Sequence, residues 1–365
     1  MKEKPVYVND PNKKSGVSVP SMTEQEMDEY SAFSEFIGKY GASYSSKDEH
    51  MARFDIFQTN YRDIKSHNEK YVAGEVSYEK AVNQFADLSA EEFHARYLSN
   101  SFVGKPALKD FDLSENLEEE HESRPHMVQA SHVPEHVDWY AEGKVSESVD
   151  QGGCGSCWAF TTATTLESLN AIQNRLDKVP RYSVQYLLDC DDINWGCDGG
   201  WMADSYEFTK EHGIVDWDAY PRGYQGRKNK CSDEAISKSN RFRNAEGHEE
   251  DMISNARLRE LVAMNPVGVA IYSNFGCLAG YSRGIVHDRD CDCSDPDRTD
   301  VNHAVTVIGY GKSEQKGCNE YWLIKNSWGA YWGDHGHFRL CADRDGRTQK
   351  YGQCQINSYV QWPTL

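Results

Sequence analysis

All eleven cysteines lie between Cys154 and Cys354, and residues 1–153 contain none. A chain crosslinked in only one of its parts folds as two unlike units: a segment held by packing alone, then a disulfide-bearing domain. Eleven cysteines in little over 200 residues point to disulfides and an oxidising compartment. The first thirty residues contain no apolar h-region, so no signal peptide is read there. The 365 residues suffice for about two domains of roughly 150 residues each. A net charge of −19 argues against nucleic acid or an anionic membrane as the main partner. No run approaches 18 apolar residues, so no membrane span is expected.

Residues 1–20 are polar and contain Pro and Lys, which reads as a disordered leader. Thr23 and Glu26 form a capping box for a helix that carries Phe33, Phe36, Ile37 and Tyr40 and stops at Gly41. In the next helix Glu49, Arg53, Phe57, Asn60, Ile64 and Asn68 are spaced 4, 4, 3, 4 and 4 apart. They therefore share one stripe. A structural amphipathic helix carries apolar residues there. This stripe mixes charge, amide and apolar groups, so it should meet a partly polar surface. Ala81–Asp87 follows, and Ser89 with Glu92 caps a helix ending near Tyr97.

The stretch 101–131, centred on Glu118-Glu-Glu-His-Glu-Ser-Arg-Pro125, reads as an exposed linker. Beyond it, Cys157 to about Asn174 and Val184–Leu188 read as helices. Val267–Tyr272, Ala304–Tyr310, Tyr321–Asn326 and Gly336–Leu340 read as strands. Helices first and strands later give an α+β protein with two lobes.

Gln151-Gly-Gly-Cys-Gly-Ser-Cys-Trp-Ala-Phe160 places Cys157 at the start of a predicted helix, where the dipole favours a thiolate. A thiolate suits acyl transfer, given a base, a group to orient it and an oxyanion hole. Cys154-Gly-Ser-Cys157 taken alone also fits a redox dithiol or half of a zinc site. No thioredoxin-like pattern surrounds it. Cys291-Asp-Cys293 and His335-Gly-His337 match no structural zinc spacing. Neither metal nor cofactor is called for.

Cys154-Gly-Ser-Cys157-Trp158 resembles the signature of the papain family of cysteine proteases, in its cathepsin L-like branch. Asn302-His303-Ala304-Val305 is similar to the family's histidine segment, and Lys325-Asn326-Ser327-Trp328-Gly329 to its asparagine segment. His303 follows Cys157 by 146 residues, within the usual interval of roughly 130–150. Asn326 follows by 169, and Ser313–Asn319 reads as an inserted loop. The six-residue stripe resembles the family's inhibitory propeptide pattern, and Ala81–Asp87 its G-x-N-x-F-x-D pattern with Ala81 in place of Gly. That change should stiffen or shift the local backbone.

The resemblance implies a two-lobed papain-like fold, one lobe helical and one β-barrel-like. A leader (1–20), a helical inhibitory propeptide domain (21–100) and a linker bearing the activation cleavage (101–131) precede the peptidase domain (132–365). It implies a thiol endopeptidase zymogen, with Cys157 as nucleophile, His303 as its base, Asn326 orienting His303, Gln151 in the oxyanion hole and Trp328 in support. Gly199 and Gly200 would offer a backbone edge to substrate. Trp201, Met202, Ala270, Val301, Ala304 and Tyr359 would line an uncharged S2 pocket selecting apolar or aromatic P2 residues. Trp201 and Met202, each taken singly, also fit plain core packing. With Cys157 free, ten cysteines remain. The resemblance gives Cys154–Cys197 and Cys190–Cys231 and joins Cys354 to Cys291 or Cys293, leaving room for two further bonds.

The expected partners are protein and peptide substrates, the chain's own propeptide and cystatin-like inhibitors, with the enzyme a monomer in a lysosome-like or extracellular compartment. Cleavage is expected within Ser123–His132, and acid is expected to weaken carboxylate-mediated docking, including any made by Asp87. No Asn-x-Ser/Thr sequon occurs, which argues against glycan-dependent sorting. The competing function is a catalytically silent papain-like binding or inhibitory protein.

Overall fold

The structure, a computed structural model, describes residues 22–98, 133–232, 240–294, 300–343 and 350–365. The expected leader, linker and cleavage region lie outside them. The amino-terminal part has helices α1 (Glu24–Tyr40), α2 (Lys47–Val72) and α3 (Ala90–Tyr97), with a short strand β1 (Tyr78–Lys80). Both capping boxes form, Thr23 with Glu26 and Ser89 with Glu92. Gly41 ends α1 in the left-handed conformation. Phe33, Phe36, Phe54 and Phe57 bury a small aromatic core where α1 crosses α2. Glu29, buried in α1, takes both Arg62 Nε (2.7 Å) and Nη2 (2.8 Å) from α2.

The mixed stripe of α2 meets a polar partner, the backbone of Lys80–Leu88. Arg53 forks onto both Glu92 oxygens (2.6 and 2.7 Å) and reaches the Asp87 carbonyl (2.9 Å). Asn60 Nδ2 donates to the Ala86 and Leu88 carbonyls, and Asn68 both donates to and accepts from the Lys80 backbone. An apolar stripe could not satisfy these carbonyls. Ala81 is not among the residues with positive φ, and its N–H donates to Gly280 O (2.9 Å). The Gly-to-Ala departure therefore imposes no left-handed strain. Asp87 does not dock onto the catalytic part. It accepts from Tyr44 Oη (2.8 Å) within the propeptide.

In the cysteine-bearing part, α4 (Cys157–Gln173), α5 (Val184–Cys190) and α6 (Met202–His212) build one lobe. The other is a mixed sheet of β7 (Tyr281–Val286), β10 (His337–Cys341), β9 (Glu320–Lys325), β8 (His303–Lys312), β6 (Val267–Ile271), β11 (Tyr359–Thr364) and β5 (Glu246–Asp251), in that order. A short strand β2 (Val137–Asp138) also pairs with β8, and β3 (Ile214–Val215) with β4 (Arg241–Phe242) forms a separate pair. The first strand, β1, joins the free edge of β7, so the two parts of the chain share one sheet.

α4 is buried nearly all round and runs between the lobes. Its Glu167 accepts from Ser146 Oγ and the Tyr182 N–H. Lys325 on β9 donates to Ser146 Oγ and to Thr164 Oγ1 on α4. Burial pulls the Lys325 ammonium down to about 8. The charged groups meet through Ser146, which ties sheet to helix.

Disulfides join Cys154–Cys197, Cys190–Cys231, Cys277–Cys291, Cys293–Cys354 and Cys318–Cys341, leaving Cys157 free. The ambiguous partner of Cys354 is thus Cys293. Cys291 and Cys293 spend their sulfurs on these bonds, and Cys154 does not pair with Cys157.

Phe57 is fully buried with ring neighbours Phe33, Phe36 and Tyr61 at 5.2 to 5.6 Å. Phe57→Ala should remove about 3 to 5 kcal/mol from the α1–α2 unit. In urea titrations of the full chain, labelling of Cys157 by a thiol probe should begin at clearly lower urea than in the parent.

Candidate active site

Cys157 opens α4 after Ser156, which makes no side-chain cap, and the N–H groups of Cys157 and Trp158 in this first turn act on the thiol. His303 opens β8, and Asn326 directly follows β9. β8 and β9 are hydrogen-bonded neighbours, which brings two residues 23 apart in sequence together. His303 Nε2 and Asn326 Oδ1 are 2.8 Å apart, so the proton is on Nε2. Nδ1 has no partner among the described residues. Trp328 stacks on the imidazole with centroids 4.9 Å apart. The Ala304 N–H points to Cys157 Sγ (3.4 Å), so the thiol sits against the start of the histidine strand.

Gln151 is fixed at both ends. Its Oε1 accepts from Ser327 Oγ (2.6 Å), while Nε2 donates to Cys154 O (2.9 Å) and Tyr97 O (3.1 Å). The last contact comes from the propeptide, so the side-chain amide beside the thiol already holds a peptide carbonyl. Phe85 and Phe93 stand edge-on to Trp328 at 5.6 and 5.1 Å, and Gln84 Nε2 donates to Trp328 O (2.6 Å).

Burial at the site acts on both ionisable groups. Burial pushes the Cys157 thiol up to about 11, outweighing the N–H of Ala304. It pulls His303 down to about 4, outweighing the Asn326 contact. Both shifts run against the charged pair that a helix start would favour. The cause is exclusion of water, which penalises both members of an ion pair.

Trp201, Met202, Ala270, Val301, Ala304 and Tyr359 fall in one buried apolar cluster with Cys157. Ala270 faces Ala304 across β6 and β8, and Trp201 meets Tyr359 edge-on at 5.2 Å. None is charged. Gly199 has a φ of +121° and uses its carbonyl on the Trp195 N–H. A Cβ on Gly200 would lie 2.4 Å from Asn194 Oδ1 and 2.8 Å from the Trp158 ring. Packing from behind, not only approach from in front, requires glycine there.

Two contributors escaped the sequence reading. Asn302 clamps the Ser273 backbone (Oδ1 to N 2.7 Å, Nδ2 to O 3.1 Å) and so fixes the turn before His303, and Ser327 orients Gln151. Both sit inside motifs already quoted, beside the residues they hold.

The papain family cysteine protease model matches residues 133–364, and the cathepsin propeptide inhibitor domain model matches 33–93. Cathepsin L-like proteinase of Phaedon cochleariae is 32% identical over 353 residues, 96% of each chain. Cathepsin K of Mus musculus is 32% identical over 88% of this chain and 89% of its own. Among solved structures, a recombinant stem bromelain precursor superposes with a TM-score of 0.75 at 30% identity, covering 93% of this chain and 99% of that one. Digestive procathepsin L 3 of Tenebrio molitor larval midgut gives 0.73 at 31%, covering 92% and 99%. The two family models together span residues 33–93 and 133–364, and the relatives extend along nearly the whole chain, which belongs to the papain family of cysteine proteases and carries its own propeptide inhibitor domain.

Proposed function

We propose that Cys157 attacks the scissile carbonyl while His303, oriented by Asn326, takes and returns the proton. Gln151 Nε2 and the Cys157 N–H bind the oxyanion, and Trp328 screens the His303–Asn326 contact. The observation that carries this reading is the Gln151–Tyr97 hydrogen bond: the amide beside the thiol holds a peptide carbonyl in the resting zymogen. Removing the propeptide readmits water, relaxes the burial that keeps the pair neutral, and lets the thiol proton pass to His303. The thiolate adds to the carbonyl, and His303 protonates the leaving amine. Water, deprotonated by His303, then releases the acyl group. Gly200, whose backbone makes no hydrogen bond among the described residues, would pair with an extended substrate, Gly199 shaping that edge. Cys157→Ala should abolish peptide hydrolysis with the fold retained. Gln151→Ala should lower kcat by about 10² to 10³ while an epoxide probe still labels Cys157. Loss of labelling in Gln151→Ala counts against an oxyanion role.

The uncharged cluster around Trp201, Met202 and Tyr359 supports a P2 preference for apolar or aromatic residues. In a fluorogenic series differing only at P2, Phe and Leu should exceed Asp and Lys by at least about tenfold in kcat/KM, since an unpaired charge there loses its hydration. Equal rates would remove these residues from S2. The domain division at about residues 100 and 132, a monomeric enzyme, inhibition by cystatin-like proteins and a lysosome-like or extracellular location belong to the same proposal.

The acid response of the propeptide's own fold is assigned to His67, whose hydrogen bond and ring contact are to Tyr78 of the same segment, and not to Asp87. Burial raises the Asp87 carboxyl, so acid favours its folded form. Arg53 holds Glu92, and Arg62 holds Glu29, at about 2. Those two contributions fade only between the ordinary 4.5 and about 2, so both pairs persist at pH 5. His67 has the opposite sign. Its Nε2 lies 2.9 Å from Tyr78 O and its ring 4.4 Å from that of Tyr78. Burial and the Lys80 ammonium lower its pKa against Asp63 and Asp290, so its contribution is lost as pH falls below about 6.5. His67→Gln keeps a donor without the charge. In a Cys157→Ala zymogen cleaved in the linker, propeptide dissociation should accelerate from pH 7 to 5 in the parent and much less in His67→Gln. Equal profiles would overturn the assignment.

A further inference from the structure

Losing the propeptide strips a partner from β7. That strand pairs with β10 on one side and with β1 on the other, so it becomes a sheet edge in the processed enzyme. Helix α2 holds β1 from behind, through His67, Asn68 and Asp63, and the catalytic part supplies a second set of partners to β1 and its flanks. Ile285 N–H (3.2 Å) and Gln315 Nε2 (2.8 Å) donate to Ser77 O, and Asp290 Oδ2 accepts the Ser77 N–H (2.9 Å). Gly280 O accepts the Ala81 N–H, and Ala279 O accepts from Asn83 Nδ2 (2.7 Å).

Two side chains of β1, two positions apart, enter this edge. Tyr78 is 1% exposed and its ring lies on that of Tyr281, with centroids 6.1 Å apart. Lys80 is 5% exposed, and its ammonium donates to Gly276 O (2.5 Å) on the catalytic side and to Asp63 of α2 (2.7 Å), which leaves with the propeptide. Gly284, with φ +95°, lets the strand approach: a Cβ there would lie 2.8 Å from both Tyr78 Cα and Ser77 O. The two disulfides that the sequence left without a fixed partner brace this surface. Cys277–Cys291 ties the turn bearing Gly276 and Ala279 to the residue after Asp290, and Cys318–Cys341 ties the loop bearing Gln315 to β10. Neither bond involves the propeptide, so the surface keeps its frame when the propeptide leaves.

We propose that the processed enzyme uses the β7 edge as a second peptide-binding site, separate from the cleft. Its ligand is an extended segment of a protein substrate with an aromatic residue and a lysine two positions later. The main chain pairs with β7, the ring lies on Tyr281, and the ammonium meets the Gly276 carbonyl. A protein substrate is then held at two points, which raises its effective concentration at the cleft without changing the chemical step.

The test compares two fluorogenic peptides with one cleavable sequence. One carries the segment Ser77–Asn83 behind a Gly/Ser spacer, and the other carries that segment with alanine in place of the tyrosine and lysine. With processed enzyme, the first should show a KM lower by about tenfold or more at unchanged kcat. The free heptapeptide should erase this advantage yet leave the hydrolysis of a short untagged substrate unaffected. Gln315→Ala and Asp290→Asn should shrink the advantage while the untagged kcat/KM stays constant. Equal KM values overturn the proposal, as does a heptapeptide that inhibits the untagged substrate, because it then occupies the cleft. An enzyme that forms dimers through this edge and gains nothing from the tag also overturns it. The untagged substrate reports separately on the catalytic reading.

Discussion

The indole of Trp328 is where inhibition and catalysis meet. One face covers the imidazole of His303, and Phe85 and Phe93 of the propeptide stand edge-on to the ring. Aromatic edges on an aromatic face gain from their quadrupoles as well as from buried area. The propeptide thus packs on the same residue that stacks on the imidazole of His303. One indole stacks on the histidine and also packs against the rings of the propeptide.

Interfaces of different character surround this point. The aromatic contact is non-directional, whereas the β1–β7 pairing and the Gln151–Tyr97 bond fix register. Together they set the propeptide segment over the thiol with its carbonyl at Gln151. Asn60 and Asn68 of α2 hold that segment in shape from behind, by answering backbone groups that would otherwise be buried without partners. A stripe of amides and charges on a helix is the signature of such a task.

Much of this was legible in the chain. Capping boxes at Thr23 and Ser89, the start of α4 at Cys157 and the strands around His303 and Asn326 follow from local chemistry. Elements that depend on distant partners did not show. β5 reads Glu-Gly-His-Glu-Glu-Asp, with no apolar alternation, and exists because β11 supplies its hydrogen bonds. α6 buries Met202, Ser205, Tyr206 and Thr209 at helical spacing, but two of the four are polar, so its periodicity is faint. β1 is three residues long and forms only against β7. Within the site, the residue types and their order were legible. The upward shift of Cys157 and the downward shift of His303 were not, because burial in the folded chain causes them.

The propeptide shares no disulfide with the catalytic part: all five bonds lie beyond residue 153. Its only covalent hold is the peptide chain itself. While that chain is whole, the inhibitor meets the cleft at a concentration fixed by geometry, whatever the volume around the molecule. One cut turns it into an ordinary solute, governed by dilution. Activation then runs in one direction in any compartment large compared with the molecule, with no further energy input to keep it from reversing.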